Sequence, residues 1–203
     1  MRIVLSLLIL FLCCYWVKPV AQAHPTSKQT SAPVKKKGKK LNLRHYFPLA
    51  VGNWWSYSSG GGAFGFGGKP KPYKMIIRSK TKKGYRNNRR RTYIHDSYGL
   101  RRGKRYILKH PIVKGHKWDA QWSPKAGLLP TFSRGTYRIQ NPNATVRIAK
   151  KVYKHCVVVA FDMRASEIWS TYCKHVGLVK EVSKSRTRVY WTRVLLSYQV
   201  RNK

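Results

Sequence analysis

The chain has 203 residues, and 43 lysines and arginines stand against five aspartates and glutamates, a formal net charge of +38. Five carboxylates leave little material for paired-acid catalysis, and so lopsided a balance repels itself unless an anion is near. The partners it points to are anionic: envelope polymers, lipid headgroups or, as an alternative, nucleic acid.

Residues 1–23 read as an export signal. Arg2 supplies a positive start, Ile3 to Val17 carries no charge, and Ala21-Gln22-Ala23 is a small-x-small cleavage pattern, which places the cut before His24. The uncharged stretch is shorter than the ~20 residues of a membrane span. A lipoprotein signal needs a small residue before its cysteine, and Cys13 follows Leu12. The expected mature protein is soluble and exported, periplasmic or extracellular. Residues 24–40 hold Lys28, Lys35, Lys36, Lys37, Lys39 and Lys40 among Ser, Thr and Pro, a disordered basic linker by composition. Most of the charge therefore belongs to residues 41–203, read as a single domain.

That domain opens on HYFPLAVGNWWSY, residues 45–57, a dense run of aromatic rings. Its core, Pro48-Leu49-x-x-Gly52-x-x-Trp55, recurs 63 residues later as Pro111-Ile112-x-x-Gly115-x-x-Trp118. The pattern describes a tight turn leading into a strand: proline sets the approach, glycine takes a left-handed backbone angle, and tryptophan is the first large inward group. Base stacking would require neither Pro nor Gly, so these rings are expected to be core rather than a nucleic-acid platform.

Ser58 to Gly68 is rich in glycine but lacks the Lys-Ser/Thr ending and following helix of a phosphate loop, so it reads as a hairpin loop carrying Phe64 and Phe66. Lys74 to Lys80 alternates like a strand. Lys80, Lys82, Lys83, Arg86, Arg89, Arg90 and Arg91 then crowd one strand-turn-strand region, and Arg101, Arg102, Lys104 and Arg105 follow, with no acidic residue between Lys80 and Ile94. These eleven residues are the candidate polyanion-binding set. Arg91–Tyr98 and Arg105–Leu108 are further strand candidates. After the second turn come Tyr137–Ile139, Thr145–Ile148, Val157–Phe161, Val176–Val182 and Thr187–Val200. No window carries a helical stripe, so the domain is all-β, a curved antiparallel sheet or incomplete barrel.

Two cysteines survive cleavage. A hairpin turning at Met163–Ser166 opposes Asp162 to Glu167, Phe161 to Ile168 and Cys156 to Cys173, which predicts a disulfide. The rival is a metal site using His175, on the same strand face as both cysteines; a fourth ligand is missing, and export favours oxidation. Asp162 and Glu167 read as a solvated hairpin end. No nucleophile elbow, cofactor motif or metal-ligand set is present, so the expectation is a protein that is not an enzyme and needs no cofactor.

Four blocks in order, YFPLAVGNWWSY, HPIVKGHKW, TVRIAKKVYKHCVVVAF and IWSTYCKHVGLVKEV, resemble a family of exported bacterial β-rich proteins with a Tyr-Phe-Pro-Leu-x-x-Gly-x-x-Trp-x-Tyr opening and a late Gly-Leu-Val-Lys segment. Where relatives often have Gly-Val-Gly-Leu-Val, this chain has His175-Val176-Gly177-Leu178-Val179. The resemblance implies export and fold and brings no catalytic residues. The reading is a non-enzymatic envelope protein whose basic surface meets anionic polymers or lipid headgroups. An extracellular nucleic-acid binder and a carrier of a small apolar ligand in the concave sheet are the alternatives.

Overall fold

The computed structural model describes residues 41–60, 71–120, 135–163 and 165–201, all within one unit, Gly38–Lys203. The expected signal peptide, the basic linker and the glycine-rich loop with Phe64 and Phe66 lie outside the described residues. Twelve strands follow in chain order: β1 (Trp54–Gly60), β2 (Lys71–Thr81), β3 (Gly84–Asn87), β4 (Thr92–His95), β5 (Gly99–Arg102), β6 (Arg105–Lys109), β7 (Lys117–Asp119), β8 (Thr136–Ile148), β9 (Lys151–Met163), β10 (Ser166–Cys173), β11 (Gly177–Lys184) and β12 (Val189–Gln199). A 3-10 turn, Leu43–Tyr46, precedes them, and there is no α-helix among the described residues. The fold is all-β.

Every strand pairs antiparallel with its sheet neighbours, in the order β6-β5-β4-β3-β2-β1-β12-β11-β10-β9-β8-β7. Two six-stranded meanders, β1–β6 and β7–β12, are thus joined where β1 pairs with β12. The sheet curls until it is nearly a barrel, with an unsealed seam between β6 and β7. Side chains bridge the seam. Trp118 Nε1 on β7 donates to the Tyr106 carbonyl on β6 at 3.0 Å, and the Arg105 guanidinium lies 5.6 Å from the centre of the Phe161 ring. Curling in this way hides strand edges that would otherwise recruit other chains.

Each meander starts with the repeated turn, and the two copies share their backbone bonding. Gly52 N donates to Ile77 O, Asn53 N to Ala50 O, and Ile77 N to Asn53 O; in the second copy Gly115 N donates to Ile139 O, His116 N to Val113 O, and Ile139 N to His116 O. Gly52 and Gly115 have φ +90° and +85°, angles that an L side chain resists. Trp55 and Trp118 are both buried, and Trp55 Nε1 donates to the Val176 carbonyl at 2.5 Å.

Alternation then builds the core, because successive strand residues face opposite sides of the sheet. Tyr57, Ile77, Tyr93, Leu100, Leu108, Ile139, Val157, Val159, Val179 and Leu195 are buried. Phe47 enters from the 3-10 segment and stacks between Trp55 and Tyr93, at 5.2 and 5.3 Å between ring centres. A second row of rings, Trp118–Tyr137–Phe161, crosses three neighbouring strands at 5.3 and 4.5 Å.

The β9–β10 hairpin has the expected register, Glu167 opposite Asp162 and Cys173 opposite Cys156, and the two cysteines form a disulfide. Several strand boundaries differ from expectation, as in β9, which runs Lys151–Met163 rather than Val157–Phe161, and two of the differences have a local cause. The Arg91–Tyr98 run stops at His95, because the Asp96 carboxylate accepts the N–H groups of Tyr98 and Gly99 and turns the chain. Conversely, Tyr137–Ile139 and Thr145–Ile148 belong to one strand, β8, whose Asn141-Pro142-Asn143 stretch is absorbed by register shifts.

Candidate functional site

The barrel interior contains a cavity of about 50 Å³ between β2, the β3–β4 turn, β5, β11 and β12. Phe47, Tyr57, Met75, Tyr93, Ile107, Tyr172 and Leu178 form its buried wall. Arg102 and Arg193 reach in from β5 and β12, partly buried, while Arg89 and Arg91 stand exposed on its rim. Glu181 is its only carboxylate. Arg193 Nη1 pairs with Glu181 Oε2 at 2.9 Å, as the β11–β12 register sets them opposite each other, and Arg193 Nε is buried without a partner. Arg102 has no carboxylate within ion-pair distance among the described residues.

Aromatic faces hold these cations. The Arg89 guanidinium lies 4.3 Å and that of Arg193 5.2 Å from the centre of Tyr73, and Arg193 is 5.4 Å from Trp191. A guanidinium over a ring uses its face and keeps its N–H edge for another acceptor. Burial pushes the Tyr57, Tyr73 and Tyr172 phenols up, so the wall is uncharged at neutral pH. A buried asparagine shapes the rim: Asn87 Oδ1 accepts from Arg89 N at 3.0 Å and Arg91 N at 2.9 Å. Its neighbour Asn88 docks the turn on β2, accepting from Ile76 N and donating to Lys74 O.

The structure divides the eleven residues singled out in the sequence. Arg89, Arg91 and Arg102 line the cavity. Lys82, Lys83, Arg86, Arg90 and Lys104 are exposed, and Lys80 borders a separate open groove with Arg44, His175 and Arg201. Arg101 is neutralised: its Nε lies 2.8 Å from Asp96 Oδ2, though the geometry falls short of a hydrogen bond. Burial pushes the Asp96 carboxyl up, but hydrogen bonds from Tyr106, Tyr98 and Gly99 and the Arg101 charge outweigh it and hold it below the usual value. Arg105 faces Phe161 and hydrogen-bonds the Tyr137 phenol.

Arg193, Glu181 and the tyrosine wall escaped the sequence reading: Arg193, Glu181 and Tyr172 lie far along the chain from the basic cluster, and Tyr73 and Tyr93 read as ordinary strand residues beside it. One signal was present: Arg193 sits between Trp191 and Leu195 on the same strand face, a charge in an otherwise apolar stripe.

Among the described residues, no group of three His, Cys, Asp or Glu is placed to hold a metal ion. The His175 ring lies tilted against that of His45, 4.9 Å between ring centres. Asp162 opposes Glu167 across the hairpin; burial pushes its carboxyl up, Arg138 at 3.6 Å pulls it down, and Glu167 adds to the rise.

No protein-family model matches the chain, and no curated protein does. Two crystal structures are similar to it. One is of a protein from Parabacteroides distasonis described as a lipoprotein, with 10% identity and a TM-score of 0.43 over 78% of this chain and 100% of that one. The other is of a protein from Bacteroides fragilis described as exported and having a YmcC-like fold, with 9% identity and a TM-score of 0.41 over 75% of this chain and 98% of that one.

Proposed function

We propose that this is a non-enzymatic exported protein whose basic surface associates with anionic envelope polymers or lipid headgroups. The supporting observation is where the carboxylates sit. Asp96 faces Arg101, Asp162 faces Arg138, Glu181 faces Arg193, Asp119 accepts from Thr136, and Glu167 accepts from the Trp169 indole. None of the five is within ion-pair distance of Lys82, Lys83, Arg86, Arg90 or Lys104. These cations lie on the β2–β3 hairpin, the β3–β4 turn and the β5–β6 turn, with anions left to come from outside. The sequence supplies the export signal. A carrier of an apolar ligand fits the interior poorly, because ligand pockets usually run to about 300–1,000 Å³ and are mostly apolar, whereas this cavity is about 50 Å³ with four arginines.

Competition tests the reading. Lipopolysaccharide or a wall polymer at matched charge is expected to displace the protein from a polyanion resin at least as well as double-stranded DNA. Preferential displacement by DNA instead makes it a nucleic-acid binder, and retention that does not weaken with salt removes the electrostatic basis altogether.

A further inference from the structure

We propose that the barrel cavity is a binding site for a single phosphate group, held by Arg102 and Arg193 inside and by Arg89 and Arg91 at the rim. The charge count is the first argument. Four guanidiniums and one carboxylate, Glu181, line the cavity, which leaves three positive charges in excess. Partly buried cations without counter-charge are costly, and Arg102 has none within ion-pair distance. A carboxylate offsets one such charge; a phosphate monoester carries about −1.5 to −2 and presents three acceptor oxygens.

Size is the second. A water needs roughly 10–15 Å³ of such space, so a cavity of about 50 Å³ admits a group of only a few heavy atoms. That suits a phosphate head, with whatever it is attached to left outside the rim.

Donor geometry is the third. Arg193 Nε is buried without a partner while its Nη1 is held by Glu181, so the guanidinium is fixed but not saturated. Arg89 is fixed by Tyr73 and by a turn built on Asn87. Arginine forks pair with phosphate oxygens two at a time, and Arg193 and Arg89 are already held in place by Glu181 and Tyr73. The site rests on the anionic-partner reading only for where the phosphate comes from, a headgroup or polymer on one hand and the free ion on the other.

The test is calorimetric titration of the full-length protein with inorganic phosphate, and separately with acetate, at constant ionic strength. Saturable phosphate binding is expected, with acetate much weaker. Arg102→Gln is expected to weaken it roughly tenfold or more, the loss of a charge-assisted pair, while Arg147→Gln, an exposed arginine on β8, leaves it unchanged. Should Arg102→Gln fail to fold, phenylglyoxal labelling of the wild type decides: phosphate must slow modification of Arg102. Sedimentation with phosphatidic-acid vesicles, competed by free phosphate, assigns the source to a headgroup; phosphate binding without vesicle binding assigns it to the free ion. No saturable phosphate binding, equal affinity for acetate, wild-type affinity in Arg102→Gln, or unprotected Arg102 each overturns the site. Loss of polymer binding with phosphate binding intact overturns the surface reading alone.

Discussion

Trp55 and Trp118 do the same job in two places: each fills the start of its meander and donates its indole N–H to a backbone carbonyl on another strand or turn. Replacing either by alanine is expected to cost about 3–5 kcal/mol, a core deletion with a stranded carbonyl added. Urea denaturation measures it, and a loss below ~1 kcal/mol at both would mean that the rings are not structural. His95 acts through its protonation state. Its Nε2 lies 2.9 Å from the Phe47 carbonyl, which can only accept, so the ring donates there. Burial lowers its pKa, the Phe47 bond opposes that, Arg44 lowers it further and Asp96 raises it, for a net fall. The unfolded chain therefore binds the extra proton first, and stability rises with pH across this window. Stability is expected to be complete above about pH 6.5, the unfolded value, and to decline as pH falls through the lower folded value. His95→Gln should flatten that decline; an unchanged pH profile of the melting temperature would refute the assignment. His175 shows what one residue conceals. Its φ of +63° lies in the left-handed region, which glycine reaches without strain and a side chain resists. The tilted ring contact with His45 and the bond from its own N–H to the His45 carbonyl hold it there.

Hairpins with a strict period of two could be read directly. In β9–β10 the apolar runs and the short turn leave one sensible register, so the cysteine pairing followed from arithmetic. Reducing that bond, or Cys156→Ser with Cys173→Ser, should cost on the order of 3 kcal/mol through the loop it closes. Two thiols alkylated in unreduced protein would contradict the bond itself. Short strands were not readable: β3 and β5 have four residues each, too few for alternation to stand out, and half of β5 is arginine. What defines β3 is its end. Asn87 is buried and turns the chain so that Arg89 and Arg91 meet the cavity. In sequence it is one of two asparagines before three arginines, with nothing to mark it as the organiser. Asn87→Ala removes both acceptor contacts and is expected to cost about 1–3 kcal/mol. It should also speed amide exchange in residues 88–91; exchange at the wild-type rate would show that the turn holds without it.

At the scale of the molecule, the repeat was visible, but its consequence was not. Gly52 and Gly115 mark two turns in the sequence; only the sheet order shows that each opens six strands and that the meanders join through β1 and β12, residues more than a hundred positions apart. Curling that sheet sorts the positive charge into two populations that no linear reading separates. Arg102 and Arg193 go inside, while Lys82, Lys83 and Arg86 stay on an exposed hairpin. The sorting determines how the surface is to be tested. Replacing Arg89, Arg90 and Arg91 together would damage the rim of the cavity as well as the surface, so it cannot isolate either. Lys82→Gln with Lys83→Gln and Arg86→Gln touches the hairpin alone. Each phosphate contact contributes roughly 0.7–0.9 to the slope of log affinity against log salt. The triple variant is therefore expected to bind a polyanion more weakly, with a slope flatter by up to about 2–3 units. The melting temperature should hold or rise, because three mutually repelling charges have been removed without disturbing a packed side chain. Fluorescence anisotropy across a salt series measures the slope. If affinity and slope both match the wild type, the hairpin is only a solvated face, and surface binding has to rest on Arg90 and Lys104 instead.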